Sequence, residues 1–257
     1  MGPAALDSLP GYRRRFIVTP APHCVRSDLE DDYHCMGVTV HHDGKVATRI
    51  EAVMARAPWT TCPGAVAELT TTFTGIALAA FAERGAKQHN CTHLHDLAVL
   101  AAAHADDPAP LVYDILVSDP VEGRRSAEIR RNGTPLLSLS EAAGRMVAPA
   151  AAAGLALDGL RPWIDSLEPA LREPARLLRW GALVAHGRTV PWERQSDARR
   201  MRPGSCYTFQ PARMAEARRI GAIRDFSRGA QPLADYRPAP RERATPDNPF
   251  PSAEQFS

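Results

Sequence analysis

The chain has no long apolar run, no surplus of charge of one sign and no paired-cysteine motif, and each absence removes a class of function. Its most apolar stretch, Val147 to Leu157, is about half the length of a bilayer-spanning helix and contains Pro149 and Gly154. No membrane association is expected. Lys and Arg number 31 against 29 Asp and Glu, a formal net charge of +2. Such a balance gives no general drive toward nucleic acid or anionic lipid. The opening MGPAALDSLPGYRRRFIV lacks the basic-then-apolar order of a signal peptide. A cytoplasmic location is expected, where thiols stay reduced. The five cysteines (Cys24, Cys35, Cys62, Cys91 and Cys206) are odd in number and unevenly spaced, so no disulfide framework is expected.

Chemical motifs are missing too. Without Cys-x-x-Cys there is no zinc ribbon or thioredoxin pattern. Without G-x-G-x-x-G or G-x-x-x-x-G-K-[ST] there is no phosphate-cradling loop, so no nucleotide cofactor is indicated. The absence of G-x-S-x-G disfavours an α/β-hydrolase elbow. What remains is an ordinary globular balance, 44% hydrophobic and 23% charged. The richness in Arg, Ala and Pro reads as the bias of a GC-rich bacterial genome.

The pattern predicts one α+β domain over residues 12–228, with parts at 12–107 and 111–228 and loose tails at 1–11 and 229–257. Arg13 to Thr19 alternates as a strand, with Arg13, Arg14 and Arg15 read as a solvated edge. The acidic run Asp28, Glu30, Asp31 and Asp32 is read as solvated. Met36–His41 and Lys45–Met54 form a hairpin turned by His42-Asp43-Gly44, since Gly tolerates positive φ and Asp the turn geometry. The step Ile50-Glu51-Ala52 hints at a bulge. A helix follows Cys62, because Pro63 suits a first helical position. Val66, Leu69, Phe73, Ile76 and Ala80 share its apolar face as far as Gly85. A second helix starts near Thr92 and stops at Pro108. Leu111–Ser118 and Ser126–Leu139, the latter split by Asn132-Gly133, give three strands. Ile164–His186 reads as a helix in two pieces and Pro211–Ile220 as a short helix. The expected fold is an antiparallel sheet with helices packed on it, a second hairpin region and C-terminal helices.

Cys62 and Cys91 stand at two helix starts, where unpaired N–H groups and the positive dipole end favour a thiolate. His93 lies in the first turn after Cys91, while His95 points about 200° around the helix. Cys62, Cys91 and His93 are therefore the candidate catalytic residues, with Glu51 as carboxylate if the suspected bulge turns it inward. Cys35, Cys62, Cys91 and His93 make a plausible Cys₃His set for zinc or iron. The plainer reading of each thiol is a small buried hydrophobe, and that of Glu51 a surface strand residue.

Several segments resemble a bacterial family of unknown function. They are RIEAVMARAPWTTCPGA, CTHLHDL and GSCYTFQPARMAEARRIGAIRDFS, with His34-Cys35-Met36 ahead of the hairpin. The resemblance covers about 220 residues of the chain. The order cysteine, hairpin, cysteine, helix, cysteine, helix also resembles iron–sulfur scaffold proteins of the IscU/NifU type, which would give the N-terminal half that fold. The Gly-Asp that follows the scaffold's first cysteine is replaced by Met36-Gly37. Three functions follow as expectations. The first is an enzyme of small-molecule metabolism with a Cys/His centre, of lyase, isomerase or hydrolase type. The second is a zinc- or iron-binding, scaffold-like protein, and the third a binding module without chemistry.

Overall fold

The computed structural model describes residues 6–236 except Gln195 and Ala222. The strands are β1 (Gly11–Ala21), β2 (Cys24–Asp31), β3 (Cys35–His42), β4 (Ala47–Arg56), β5 (Leu111–Ser118), β6 (Arg124–Arg131), β7 (Thr134–Ala142) and β8 (Arg145–Ala148). They form one antiparallel sheet in the order β4-β3-β2-β1-β5-β6-β7-β8. Helices α1 (Ala65–Phe73) and α2 (Thr92–Ala103) cover the β2–β4 side, and α4 (Pro169–Ala185) covers β5–β7. Two short helices, α3 (Arg161–Ser166) and α5 (Pro211–Met214), complete the set. The architecture is α+β, as expected.

Strand alternation decides which side chains meet the helices. Tyr12, Phe16 and Val18 of β1, Val25 and Leu29 of β2, and Met36, Val38 and Val40 of β3 lie in the core. Arg14 and Asp31 have the same parity and face each other across the β1–β2 ladder. Arg13, Arg15, Asp28, Glu30 and Cys35 take the outer parity. The Arg13–Arg15 run is thus not a solvated edge. It lies in a strand paired on both sides, with β2 and β5. The acidic run is not solvated either, because Asp28, Glu30, Asp31 and Asp32 are all buried beside arginines.

The outer face is crossed by the segment after α5. Leu233 N–H donates to Glu30 Oε2 at 2.6 Å, and Arg26 Nη2 donates to the Tyr236 hydroxyl at 2.8 Å. The loose tail expected from residue 229 is therefore packed as far as Tyr236, and residues 237–257 lie outside the described ones. At the other end, Leu6–Ser8 form a 3₁₀ turn, and Arg13 Nη2 donates to the carbonyls of Leu6 and Leu9. The helix after Cys62 is shorter than its apolar spacing implies. It ends at Phe73 because Gly75 turns at φ +79 and residues 75–76 bond to the backbone of Ala47 instead. The two-piece helix breaks at Leu167–Glu168, which puts Pro169 at a first helical position where its missing N–H costs nothing. The register through Ile50, Glu51 and Ala52 is unbroken. The register instead shifts at His41/His42 and at Cys35/Met36, where Ala55 is the extra residue and Arg56 turns toward Glu30.

Candidate functional site

The β2–β3 turn is closed by Asp31 itself. Its N–H donates to the His34 carbonyl at 2.9 Å. Its Oδ1 accepts from the backbone N–H groups of Tyr33 (2.7 Å) and His34 (2.8 Å). Short acidic side chains favour such turns because they satisfy backbone donors locally. The same Oδ1 lies 3.0 Å from His34 Nδ1. An ionised carboxylate only accepts, so Nδ1 carries the proton and donates, leaving Nε2 as the outward nitrogen.

Asp31 Oδ2 faces β1. It accepts from Tyr12 Oη at 2.7 Å, Arg14 Nε at 3.0 Å and Arg14 Nη2 at 2.6 Å. Arg14 Nη2 also reaches His93 Nε2 at 3.1 Å. Arginine cannot accept, so His93 Nε2 is the acceptor and its proton sits on Nδ1. His93 comes from the first turn of α2 and stacks on His34, with ring centres 3.9 Å apart and planes 30° apart. Trp180 of α4 closes one side, 5.9 Å from the His93 ring, and Tyr33 packs edge-on to His34. The two imidazoles keep 7% and 9% exposure, whereas Arg14 and Asp31 keep 1% and none. The ion pair thus lies deeper than the two rings.

Burial works to raise the Asp31 carboxyl, but His34, Arg14 and the surrounding hydrogen bonds outweigh it and hold it well below the usual range. For His93, burial and then the charges of His34 and Arg14 act together, holding it well below an ordinary imidazole. It is neutral at neutral pH. The arrangement supplies an imidazole oriented by a carboxylate beside a second, neutral imidazole, which is the geometry of general acid–base chemistry.

Asp31, His34 and His93 also place three possible ligand atoms within 4.8 Å of one another, the one such group among the described residues. The donor set fits a cation poorly. Both Asp31 oxygens are filled by N–H and O–H donors, and the Arg14 guanidinium already bonds to Asp31 and His93. Imidazoles stacked face to face also direct their in-plane lone pairs side by side rather than at one point.

The residues expected from sequence are placed unevenly. His93 is in the site. Cys91 is the N-cap of α2, and Cys62 opens the 3₁₀ turn before α1, with its Sγ 3.3 Å from Thr208 Oγ1. Cys206 joins these two, since Tyr207 N–H donates to the Asn90 carbonyl at 2.8 Å. These thiols do not become thiolates through their helix starts. Burial lifts Cys62 and Cys91 above the ordinary value and pushes Cys206 up to about 11. Desolvation outweighs the helix dipole here. Cys35 lies on the outer sheet face beside Glu30, and burial pushes it up to about 11. It cannot share a centre with His93 across the sheet, so the Cys35, Cys62, Cys91, His93 set is not assembled. Glu51 is half-exposed on the same outer parity, paired with Arg49 and His41, and takes no part in the site. His95 points away, as expected, with Nε2 2.9 Å from the Gly85 carbonyl.

Sequence reasoning missed Arg14, Asp31 and the role of His34. The available signal was Asp31-x-x-His34 together with the presence of His34 and His93 in two motif segments. No family model matches the chain, and no curated protein matches it.

Proposed function

We propose that the chain is an enzyme of small-molecule metabolism whose chemistry is proton transfer by His34. The observation that carries this reading is the buried Asp31 carboxylate on His34 Nδ1, with neutral His93 stacked against the ring. Asp31 fixes the tautomer, so His34 Nε2 is the atom that takes or gives a proton. Arg14 keeps Asp31 ionised and holds His93 in its Nδ1–H form. A lyase, isomerase or hydrolase step each needs such a proton carrier. The cysteine part of the expected Cys/His centre moves to a supporting role, because protonated buried thiols are poor nucleophiles. The resemblance to the bacterial family of unknown function agrees with this reading, since His34 and His93 both lie in the segments that carry it.

The test is turnover of a bacterial metabolite extract by purified protein, followed by mass spectrometry. Wild type should consume at least one metabolite, and His34→Gln should slow that consumption by about 10²–10⁴-fold. Equal consumption by the two folded proteins would overturn the proposal.

A second reading is a metal-binding protein, which draws on the proximity of Asp31, His34 and His93 and has the filled Asp31 oxygens against it. Stoichiometric zinc or iron in protein purified without added metal would support it over the first. The iron–sulfur scaffold version, with an IscU/NifU-like N-terminal half, draws less support. It needs Cys35 beside Cys62 and Cys91, and Cys35 faces Glu30 across the sheet from them.

A further inference from the structure

Three buried side-chain groups around the histidine pair have no hydrogen-bond partner among the described residues, Arg14 Nη1, Trp180 Nε1 and the Tyr33 hydroxyl, and the first two are donors only. Buried polar groups are nearly always paired, so an orphan at a site calls for a partner. Arg14 is the more informative. The guanidinium is a planar fork whose five N–H bonds have fixed directions. Nε and Nη2 together chelate Asp31 along one edge. The remaining N–H of Nη2 goes to His93 Nε2. Planarity then makes one N–H of Nη1 run parallel to it, alongside the His93 ring. The rings of Tyr12 and Phe16, 5.5 and 5.8 Å from Cζ, offer that edge only the weak acceptor of a π face. The Trp180 ring adds a second donor, whereas Lys87 Nζ, 4.7 Å from its centre, is already held by the Asp96 carboxylate. No carboxylate other than Asp31 is bonded to this arginine among the described residues. The two nitrogens left without a partner, Arg14 Nη1 and Trp180 Nε1, are both donors.

We propose that the ligand of the His34 centre presents an oxygen acceptor, carbonyl or carboxylate, to Arg14 Nη1 beside His93. The inference rests on the acid–base reading above and supplies its substrate class. Arg14 and Asp31 neutralise each other, so a carbonyl oxygen suits the site in the ground state. Negative charge that develops on that oxygen when His34 Nε2 removes a neighbouring proton meets the Arg14 fork. The proton moves from the carbon next to the carbonyl to Nε2, the C–H electron pair becomes a carbon–carbon double bond, and the carbonyl π pair moves onto the oxygen. The stacked imidazoles, Tyr33 and Trp180 make the surroundings aromatic and favour a flat or aromatic molecule around the oxygen.

Benzoate and acetophenone share a ring and differ in the acceptor, so they separate the two sources. Histidine side-chain ¹⁵N resonances report both the dyad and the ligand. Without probe, His34 Nδ1 should be protonated, and Asp31→Asn should shift its resonance. That measurement tests the dyad alone. With probe, one or both compounds should shift His93 and His34 saturably at concentrations up to about 20 mM. Arg14→Lys, which keeps the charge but loses the fork, should weaken binding about tenfold or more. Trp180→Phe keeps the ring and removes the N–H, so it serves if Arg14→Lys fails to fold, and should weaken binding several-fold. Binding of benzoate alone identifies a carboxylate, and of acetophenone alone a carbonyl. An intact dyad with no shift from either probe overturns the ligand assignment while leaving the acid–base reading. Equal affinities in wild type and Trp180→Phe overturn it as well, whether or not Arg14→Lys folds.

Discussion

Asp31 and Asp32 are adjacent, both fully enclosed, and hold their protons in opposite ways. Asp31 faces the helices, accepts from backbone and side-chain donors along two edges, and stays ionised. Asp32 faces the C-terminal segment. Its main partner, Arg188 at 2.5 Å, is shared with Asp119 and Asp225. Burial pushes the Asp32 carboxyl up to about 7, and the Asp31 charge beside it adds to the rise. Burial is common to both. The number of donors each carboxylate receives, and whether its cation is shared, decides the outcome. One acid becomes part of a site and the other a titrating strut.

The comparison can be broken by removing each charge. Asp31→Asn leaves the Arg14 guanidinium buried without its anion and should cost about 3–5 kcal/mol in urea unfolding. Asp32→Asn should cost no more than about 1 kcal/mol near neutral pH, because Arg188 keeps Asp119 and Asp225. Equal costs would show that burial alone sets the two carboxylates.

A second test sharpens the comparison through pH. The folded Asp32 carboxyl, at about 7, lies above the ordinary 3.8, so the native state binds a proton that the unfolded chain has released. Its contribution to stability is complete below about pH 4 and is lost as pH rises through 7. Asp31 acts in the other direction, with a contribution present above its ordinary pKa and lost as pH falls below it. Unfolding free energy measured between pH 4 and 7 should therefore carry a downward slope from Asp32 that Asp32→Asn flattens. An unchanged slope in that variant would remove Asp32 as the titrating group.

The smallest effect is expected on the outer face, at Glu51. Glu51→Gln should change stability by less than about 0.5 kcal/mol and leave the His34 and His93 ¹⁵N resonances where they are. A shift in either resonance would mean that the two sheet faces communicate.

Much of the fold was legible locally. The Asp43-Gly44 turn, the Asn132-Gly133 turn, the helical turn at Pro63, the helix start at Thr92 and the separation of His95 from His93 around the helix all follow from near-neighbour chemistry. The site was legible only at His93. The thiols at two helix starts drew attention because a helix dipole is visible in sequence, whereas the desolvation that overrides it is not. The acidic run looked solvated because four carboxylates within five residues usually are. Their arginine partners come from β1, β4 and the segment after α4, as well as from β2 itself.

The sequence by itself determined the turns and the parity of the six strands that its alternation marks, while β2 and β8 carry no such mark. Parity already separates Cys35 from Met36, because successive side chains on a strand face opposite ways. Only the tertiary structure decided that β1 lies at the centre of the sheet, that β2 is covered on both faces, and that α2 delivers His93 onto His34 and Arg14. Those outcomes depend on which distant segments exclude water from a charge, and the free energy of a buried charge is set by its neighbours in space rather than in the chain.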